Sequence, residues 1–263
     1  MIITLTTDFG LSDPFVGIMK GVILSIAPDL QIVDITHDVR SYDITEAAFL
    51  VNSSYRYFPP GTIHVVIVDP GVGSARRAIA AYTKDHYFVA PDNGVLSYAL
   101  HTEPMAPIPA VYRISNESLF KDPISRTFHG RDIFAPAAAH LARGTPLESV
   151  GDRVVDYIKK SLPQARPRGE QGLLASVLRI DKFGNIITNL RRSDLHDDFT
   201  IRVAGLDVTR LCETFADAEP GEFFALEGST GYIEIALNQG SAADRLNVTR
   251  GAEIEVETGS PNQ

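Results

Sequence analysis

The sequence predicts an α/β N-terminal domain with a mostly parallel sheet, followed by a small all-β barrel. Three observations carry this. Over roughly the first 160 residues, β-branched apolar runs alternate with segments of helical spacing. A stretch with two prolines, two glycines and little that is apolar, SLPQARPRGEQG, then interrupts the chain at 161–172. Beyond it come only short strand-like runs between Gly, Asn and Asp turns. The expected organisation is therefore an α/β domain over 1–160, a linker over 161–172 and a β-barrel over 173–263.

Residues 2–7 are apolar and β-branched, a buried strand that stops at Asp8-Phe9-Gly10. Phe15, Ile18, Met19, Val22 and Ile23 recur at helical spacing over 14–26, and Pro28 ends that helix. Residues 31–35 form a second strand. Asp43 followed by Glu46 reads as a capping box opening a helix through Phe49 and Val51, which Pro59-Pro60-Gly61 stops. Residues 63–68 are the clearest buried strand and lead into Asp69-Pro70-Gly71-Val72-Gly73. A hairpin is expected from 78–82 and 87–90 about Lys84-Asp85, then a turn at Asp92-Asn93-Gly94. Residues 111–114 form a strand and 132–143 a helix closed by Gly144. After the linker, strands are expected at 173–180, 186–190, 200–203, 223–226, 232–237 and 252–257.

Composition bounds the function. The 263 residues are 44% apolar and 22% charged, average for a globular protein, with a formal net charge of −9. That balance argues against nucleic acid as the main partner. One cysteine, Cys212, excludes an internal disulfide framework and a Cys-rich zinc site. Neither a secretory signal nor a run long enough to span a bilayer is visible, so a cytoplasmic protein with no membrane partner is expected.

In open α/β sheets, ligands lie outside the carboxyl ends of the strands. Asp8, Asp69 and the segment from Thr127 to Asp132 fall there. Asp8 reads equally as a turn cap and as a ligand contact. Gly71-Val72-Gly73 lacks the rest of a phosphate fingerprint and reads first as a tight turn. Asp69 and Arg76, seven apart on its two limbs, can form an ion pair, a contact that by itself means little. His37, His64, His86, His101, His140 and His196 show no metal-ligand spacing, so no metal site is expected. His129 differs in sitting between an aromatic residue and a glycine, in a loop entering a helix.

Taken in order, Thr6-Thr7-Asp8-Phe9-Gly10, Val68-Asp69-Pro70-Gly71-Val72-Gly73 with Arg76, Pro91-Asp92-Asn93-Gly94, Phe128-His129-Gly130-Arg131-Asp132 and Asp181-Lys182-Phe183-Gly184-Asn185 resemble the S-adenosylmethionine hydroxide adenosyltransferase family. This family is related to the fluorinating and chlorinating enzymes that use the same substrate. The resemblance spans almost the whole chain. It implies hydrolysis of S-adenosyl-L-methionine to adenosine and L-methionine without a cofactor. It also implies a homotrimer whose sites lie between the N-domain of one subunit and the C-domain of the next. By the same resemblance, Asp69, Arg76 and His129 form the catalytic set, Asp8 meets the ribose hydroxyls, Asn185 meets adenine, and Thr127 and Phe128 line the reaction centre. Ser229 and Glu234 become methionine-end contacts.

The residue types suit that chemistry. A sulfonium is already a good leaving group, so the task is to hold a water in line with C5′ and sulfur and take its proton. The halogenating relatives carry a hydroxyl-bearing residue where this chain has Gly130 and an aromatic one where it has Asp69. The fluorinating ones add a loop not found after Asp92-Asn93-Gly94. Asp69 would repel a halide, so water is the expected nucleophile. The rival readings are a chlorinase-like halogenase, a hydrolase with a divalent metal on Asp8, Asp69 and His129, and a non-catalytic nucleoside-binding regulator.

Overall fold

β1 (Ile2–Thr7) is flanked by a strand on each side in a six-stranded sheet, and nearly every one of its residues is buried. The computed structural model describes residues 1–101, 108–169 and 172–258, in two units, Met1–Ser161 and Leu162–Gln263. Residues 170 and 171 of the expected linker and 259–263 of the expected barrel lie outside the described residues.

In the first unit, α1 (Phe15–Ile26), β2 (Gln31–Thr36), α2 (Ile44–Ser54), β3 (Ile63–Ile67), β4 (Ala78–Thr83), β5 (His86–Pro91), α3 (Ser97–His101), β6 (Ala110–Arg113) and α4 (Ala135–Ala142) follow β1. The strand order is β2-β1-β3-β5-β4-β6. The first four of these pair in parallel, and β4 pairs antiparallel with both β5 and β6. The period-2 alternation of β3 divides the core. Ile63, Val65 and Ile67 face one layer with Met19 and Ile23 of α1 and the alanines of α4. Val66 and Val68 face the other, with Ala47 and Val51 of α2 and Leu100 of α3.

Local rules explain most of these elements. Asp43 Oδ1 caps α2 by accepting the Glu46 N–H at 3.0 Å. The reciprocal half of the expected capping box is redirected: Glu46 Oε2 accepts from the Arg40 N–H at 3.1 Å, tying down the loop that enters the helix. Lys84 and Asp85 both have positive φ, as a two-residue hairpin turn requires. The helix expected at 132–143 begins earlier, as a wide π turn over Gly130–Phe134 that runs into α4.

The second unit is a mostly antiparallel half-barrel. Its strands are β7 (Arg166–Arg168), β8 (Gly172–Ile180), β9 (Ile186–Thr188), β10 (Phe199–Val203), β11 (Leu206–Val208), β12 (Leu211–Cys212), β13 (Phe223–Glu227), β14 (Ile233–Leu237) and β15 (Glu253–Thr258), with α5 (Ala242–Leu246) before the last. The order is β11-β10-β15-β8-β9-β14-β13-β12, with β7 also on β8. Among the described residues of this unit, only β12 and β13 pair in parallel. β7 falls inside the segment expected to be a linker; its backbone pairs with β8, so low hydrophobicity there marks an edge strand.

Candidate active site

The sheet register builds the site. Thr7 of β1 pairs with Ile67 of β3, so the two chains leave the sheet side by side, one into Asp8 and the other into Val68-Asp69. After Asp69 the chain turns tightly, with the Val72 N–H on the Asp69 carbonyl at 3.2 Å. Gly73 has φ +78°, and a Cβ there would overlap the Arg126 carbonyl oxygen, so glycine is the residue this turn accepts. The return limb brings Arg76 back onto Asp69. Its Nε donates to Oδ1 at 3.0 Å and Oδ2 at 2.9 Å, and Nη2 also reaches Oδ2. The pair is largely buried, with 10% of the arginine and 6% of the aspartate side chain exposed. It is therefore not the solvent-exposed contact that its spacing suggested. The guanidinium lies 5.2 Å from the Phe134 ring centroid.

Asn93 fixes the other side of the same strand end. Its Nδ2 donates to the Val68 carbonyl at 2.8 Å, while its Oδ1 accepts from the Val95 N–H at 3.1 Å. Asp92 is architectural: it accepts from Arg77 Nε at 2.7 Å and from the Ile158 N–H at 2.8 Å.

His129 enters from 53 residues away, at the mouth of the π turn. Arg76 Nη2 stands 2.8 Å from His129 Nδ1. A guanidinium only donates, so Nδ1 is the acceptor and the ring proton of neutral His129 sits on Nε2. Burial, then the Arg76 charge, hold this histidine below its ordinary value; the Asp69 and Asp132 carboxylates and the Ser125 backbone pull the other way. The neutral imidazole is the form that accepts from Arg76.

These groups face a cavity of about 290 Å³ lined by Asp8, Asp69, Thr127, Phe128, His129 and Gly130 among others. Arg76 stands behind Asp69. Phe128 packs edge to face with Phe9 and Phe15, at centroid distances of 6.2 and 5.3 Å, to make an aromatic wall. Thr127 is exposed at the rim. Ser41 and Tyr42 also line the cavity and were not foreseen. Tyr42 has φ +68°, strained for a bulky side chain, and its N–H donates to Asp8 Oδ2 at 2.8 Å. No residue-type signal announces such a turn. Asp8 is thus both a loop latch and a cavity carboxylate.

Asn185, Ser229 and Glu234 belong to the second unit: Asn185 precedes β9, Ser229 precedes β14, and Glu234 of β14 pairs with Ile187 of β9. Asp181 Oδ2 accepts from Asn185 Nδ2 at 2.9 Å, and Oδ1 accepts the Asn185 and Phe183 N–H groups at 2.9 and 2.8 Å. This fixes which way the Asn185 amide points and leaves its Oδ1 and second N–H outside that loop. Gly184, at φ +86°, packs against Ser241 where no Cβ fits. Glu234 is buried against Gly228; burial first, then the Asp181 carboxylate, push its acid up. Ser229 is exposed in the turn between β13 and β14.

Residues 3–151 match the model of the SAM hydroxide adenosyltransferase N-terminal domain and residues 175–255 that of its C-terminal domain. The chain belongs to the SAM hydroxide adenosyltransferase family. Members of known name include the (R)-S-adenosyl-L-methionine hydrolases of Salinispora tropica, 38% identical over 98% of both chains, and of Thermus thermophilus, 37% identical over 95% of this chain and 97% of that one. The fluorinase of Nocardia brasiliensis is 30% identical over 98% of this chain and 97% of its own. A crystal structure of an uncharacterized conserved protein from Thermotoga maritima superposes with a TM-score of 0.88, at 39% identity over 97% of this chain and 99% of that one.

Both Asp69 oxygens and His129 Nδ1 are engaged by Arg76. Among the described residues no group of three or more His, Cys, Asp or Glu side chains is placed to hold an ion. No helix among them is long and apolar enough to cross a membrane.

Proposed function

We propose that the chain hydrolyses S-adenosyl-L-methionine to adenosine and L-methionine, with water attacking C5′ in line with the departing sulfur. The observation that carries this reading is the Asp69–Arg76–His129 network, set against a cavity that also holds Asp8. Arg76 holds the Asp69 carboxylate still through two donor atoms, and His129 holds Arg76 from the far side. Asp69 then accepts a hydrogen bond from the water and takes its proton as the new C5′–O bond forms. The electron pair of the breaking C5′–S bond leaves with methionine's sulfur, which becomes a neutral thioether. Fixing the water on this line is worth several kcal/mol, up to about 7–11 in favourable intramolecular models. Asp8 binds the ribose hydroxyls through the carboxylate oxygen that Tyr42 does not occupy.

Asn185, Ser229 and Glu234 are assigned to the adenine and methionine ends, supplied by a neighbouring subunit of a homotrimer. The free hydrogen-bonding groups of Asn185 suit the amino and imino edge of adenine. Exposed apolar side chains lining the cavity support a covered surface: Tyr42 is 72% exposed and Phe15 is 42% exposed. Light scattering on the purified protein is expected to give three times the 28.7 kDa chain mass.

The test of the activity is incubation with S-adenosyl-L-methionine in ¹⁸O-water, with chromatography and mass spectrometry of the products. Adenosine bearing ¹⁸O at its 5′ oxygen, together with methionine, is expected, unchanged by exhaustive chelation. A 5′-halo nucleoside formed when chloride is added would assign the halogenating branch. Tight binding with no turnover over hours would assign a regulator, and loss of activity on chelation a metal hydrolase.

A further inference from the structure

Asp132 is completely buried, yet it lines no part of the cavity. A buried carboxylate is costly unless paired, and every partner of this one lies on the loop that carries the reaction-centre residues. Oδ1 accepts from Arg131 Nε at 2.6 Å. Oδ2 accepts from Arg131 Nη2 at 2.9 Å and from the Ser125 N–H at 2.8 Å. The Ser125 bond spans seven residues and closes the loop on itself, with Thr127, Phe128 and His129 on the ring it forms.

Each arm of this clamp reaches a lining residue. Ser125 Oγ accepts the Thr127 N–H at 3.1 Å and stands 3.2 Å from Thr127 Oγ1. Arg131, fixed by the same carboxylate, lies over the Phe128 ring at 5.3 Å from its centroid. The Lys121 N–H on the Asp132 carbonyl, at 2.9 Å, anchors the start of the loop.

We propose that Asp132 is a positioning residue of the reaction centre: by clamping Ser125 and Arg131 it sets where Thr127, Phe128 and His129 stand. The inference rests on the hydrolysis reading above. It assigns Asp132 no contact with substrate.

The test is Asp132→Asn, a change of charge at nearly constant volume, followed by steady-state kinetics across pH and by NMR titration of the His129 ring. The charged and polar groups facing His129 are Arg76, Asp69, Asp132 and the Ser125 backbone. A protonated His129 cannot accept from Arg76, so turnover falls in acid. Removing the Asp132 charge withdraws a group that favours protonation. The acid limb of kcat and the His129 titration are therefore both expected to move to lower pH. With the loop displaced, kcat is expected to fall about tenfold to a hundredfold, with a smaller change in KM.

A folded Asp132→Asn protein with wild-type kcat and an unmoved acid limb overturns the proposal. So does an activity loss that only tracks the folded fraction. If Asp132→Asn does not fold, Arg131→Gln removes one arm at a partly exposed side chain and leaves the Ser125 bond; a severalfold fall in kcat is expected, and wild-type kcat there overturns it. A wild-type protein without turnover would defeat the hydrolysis reading instead. The His129 titration still judges the clamp in that case: an unmoved midpoint in the variant sinks it.

Discussion

Arg76 Nη2 donates to His129 Nδ1 at 2.8 Å, and the direction of that bond decides what His129 can do. With Nδ1 committed as an acceptor, the histidine works as a brace for Arg76, which in turn holds Asp69. The required property is an acceptor at that point, not an imidazole. His129→Asn, whose side-chain oxygen can stand near the Nδ1 position, is expected to keep turnover within about tenfold of wild type. His129→Phe leaves the guanidinium donor unpaired, a loss of about 1–3 kcal/mol or roughly five- to 150-fold in kcat. Equal losses in the two variants would show that the imidazole itself is needed.

Asp69→Asn tests the other end of the chain. The amide keeps the size of the side chain and removes the proton acceptor. General-base contributions are typically 10²–10⁴-fold, and kcat is expected to fall by about that amount while KM stays near wild type. Asp8→Ala is expected to show the opposite split, a raised KM, with part of the loss arising because the Tyr42 loop is released. Steady-state kinetics on both variants separates these outcomes; a wild-type kcat for Asp69→Asn removes the water-activating role.

Gly73 links the two loops of the site. It belongs to the turn between Asp69 and Arg76, and it sits against the Arg126 carbonyl next to Thr127. Gly73→Ala adds a methyl where there is backbone and a side chain where φ is +78°. A stability loss of about 1–3 kcal/mol is expected, with a fall in kcat beyond it. Thermal denaturation and kinetics at a temperature where the variant remains folded check both parts.

The first unit could be read from the sequence where periodicity is strong. Continuous apolar runs mark β1 and β3 because both faces of those strands are covered, and the turn at Lys84-Asp85 states its own geometry. α3, β7, β11, β12 and α5 could not be read, since these short elements carry no apolar run or periodicity of their own and are specified by the strands and loops they meet. The site divides in the same way. Asp8 and Asp69 follow from the ends of buried strands. That His129 reaches Arg76 across 53 residues, and that Tyr42 adopts a left-handed conformation to cap Asp8, are products of packing that no spacing encodes. The family resemblance grouped His129 with Asp69 and Arg76 but did not reach Tyr42.

His64 makes the fold, rather than the site, sensitive to acid. It is buried between β1 and β5, with Nδ1 2.8 Å from Thr4 Oγ1, Nε2 3.2 Å from His86 Nδ1 and its ring stacked on Phe88. Burial, then the neighbouring His86, push it down to about 3 from an ordinary value of 6.5. The folded chain therefore keeps His64 neutral where the unfolded chain protonates it. Its contribution is fully present above pH 6.5 and is lost as pH falls toward about 3, at up to about 1.4 kcal/mol for each pH unit. Urea denaturation at a series of pH values between 7 and 4 is expected to show this slope. His64→Gln lowers stability at neutral pH but flattens the dependence, because one buried titrating group is gone. An identical slope in the two proteins would place the acid sensitivity elsewhere, with His86, which burial also holds below its ordinary value, as a remaining source.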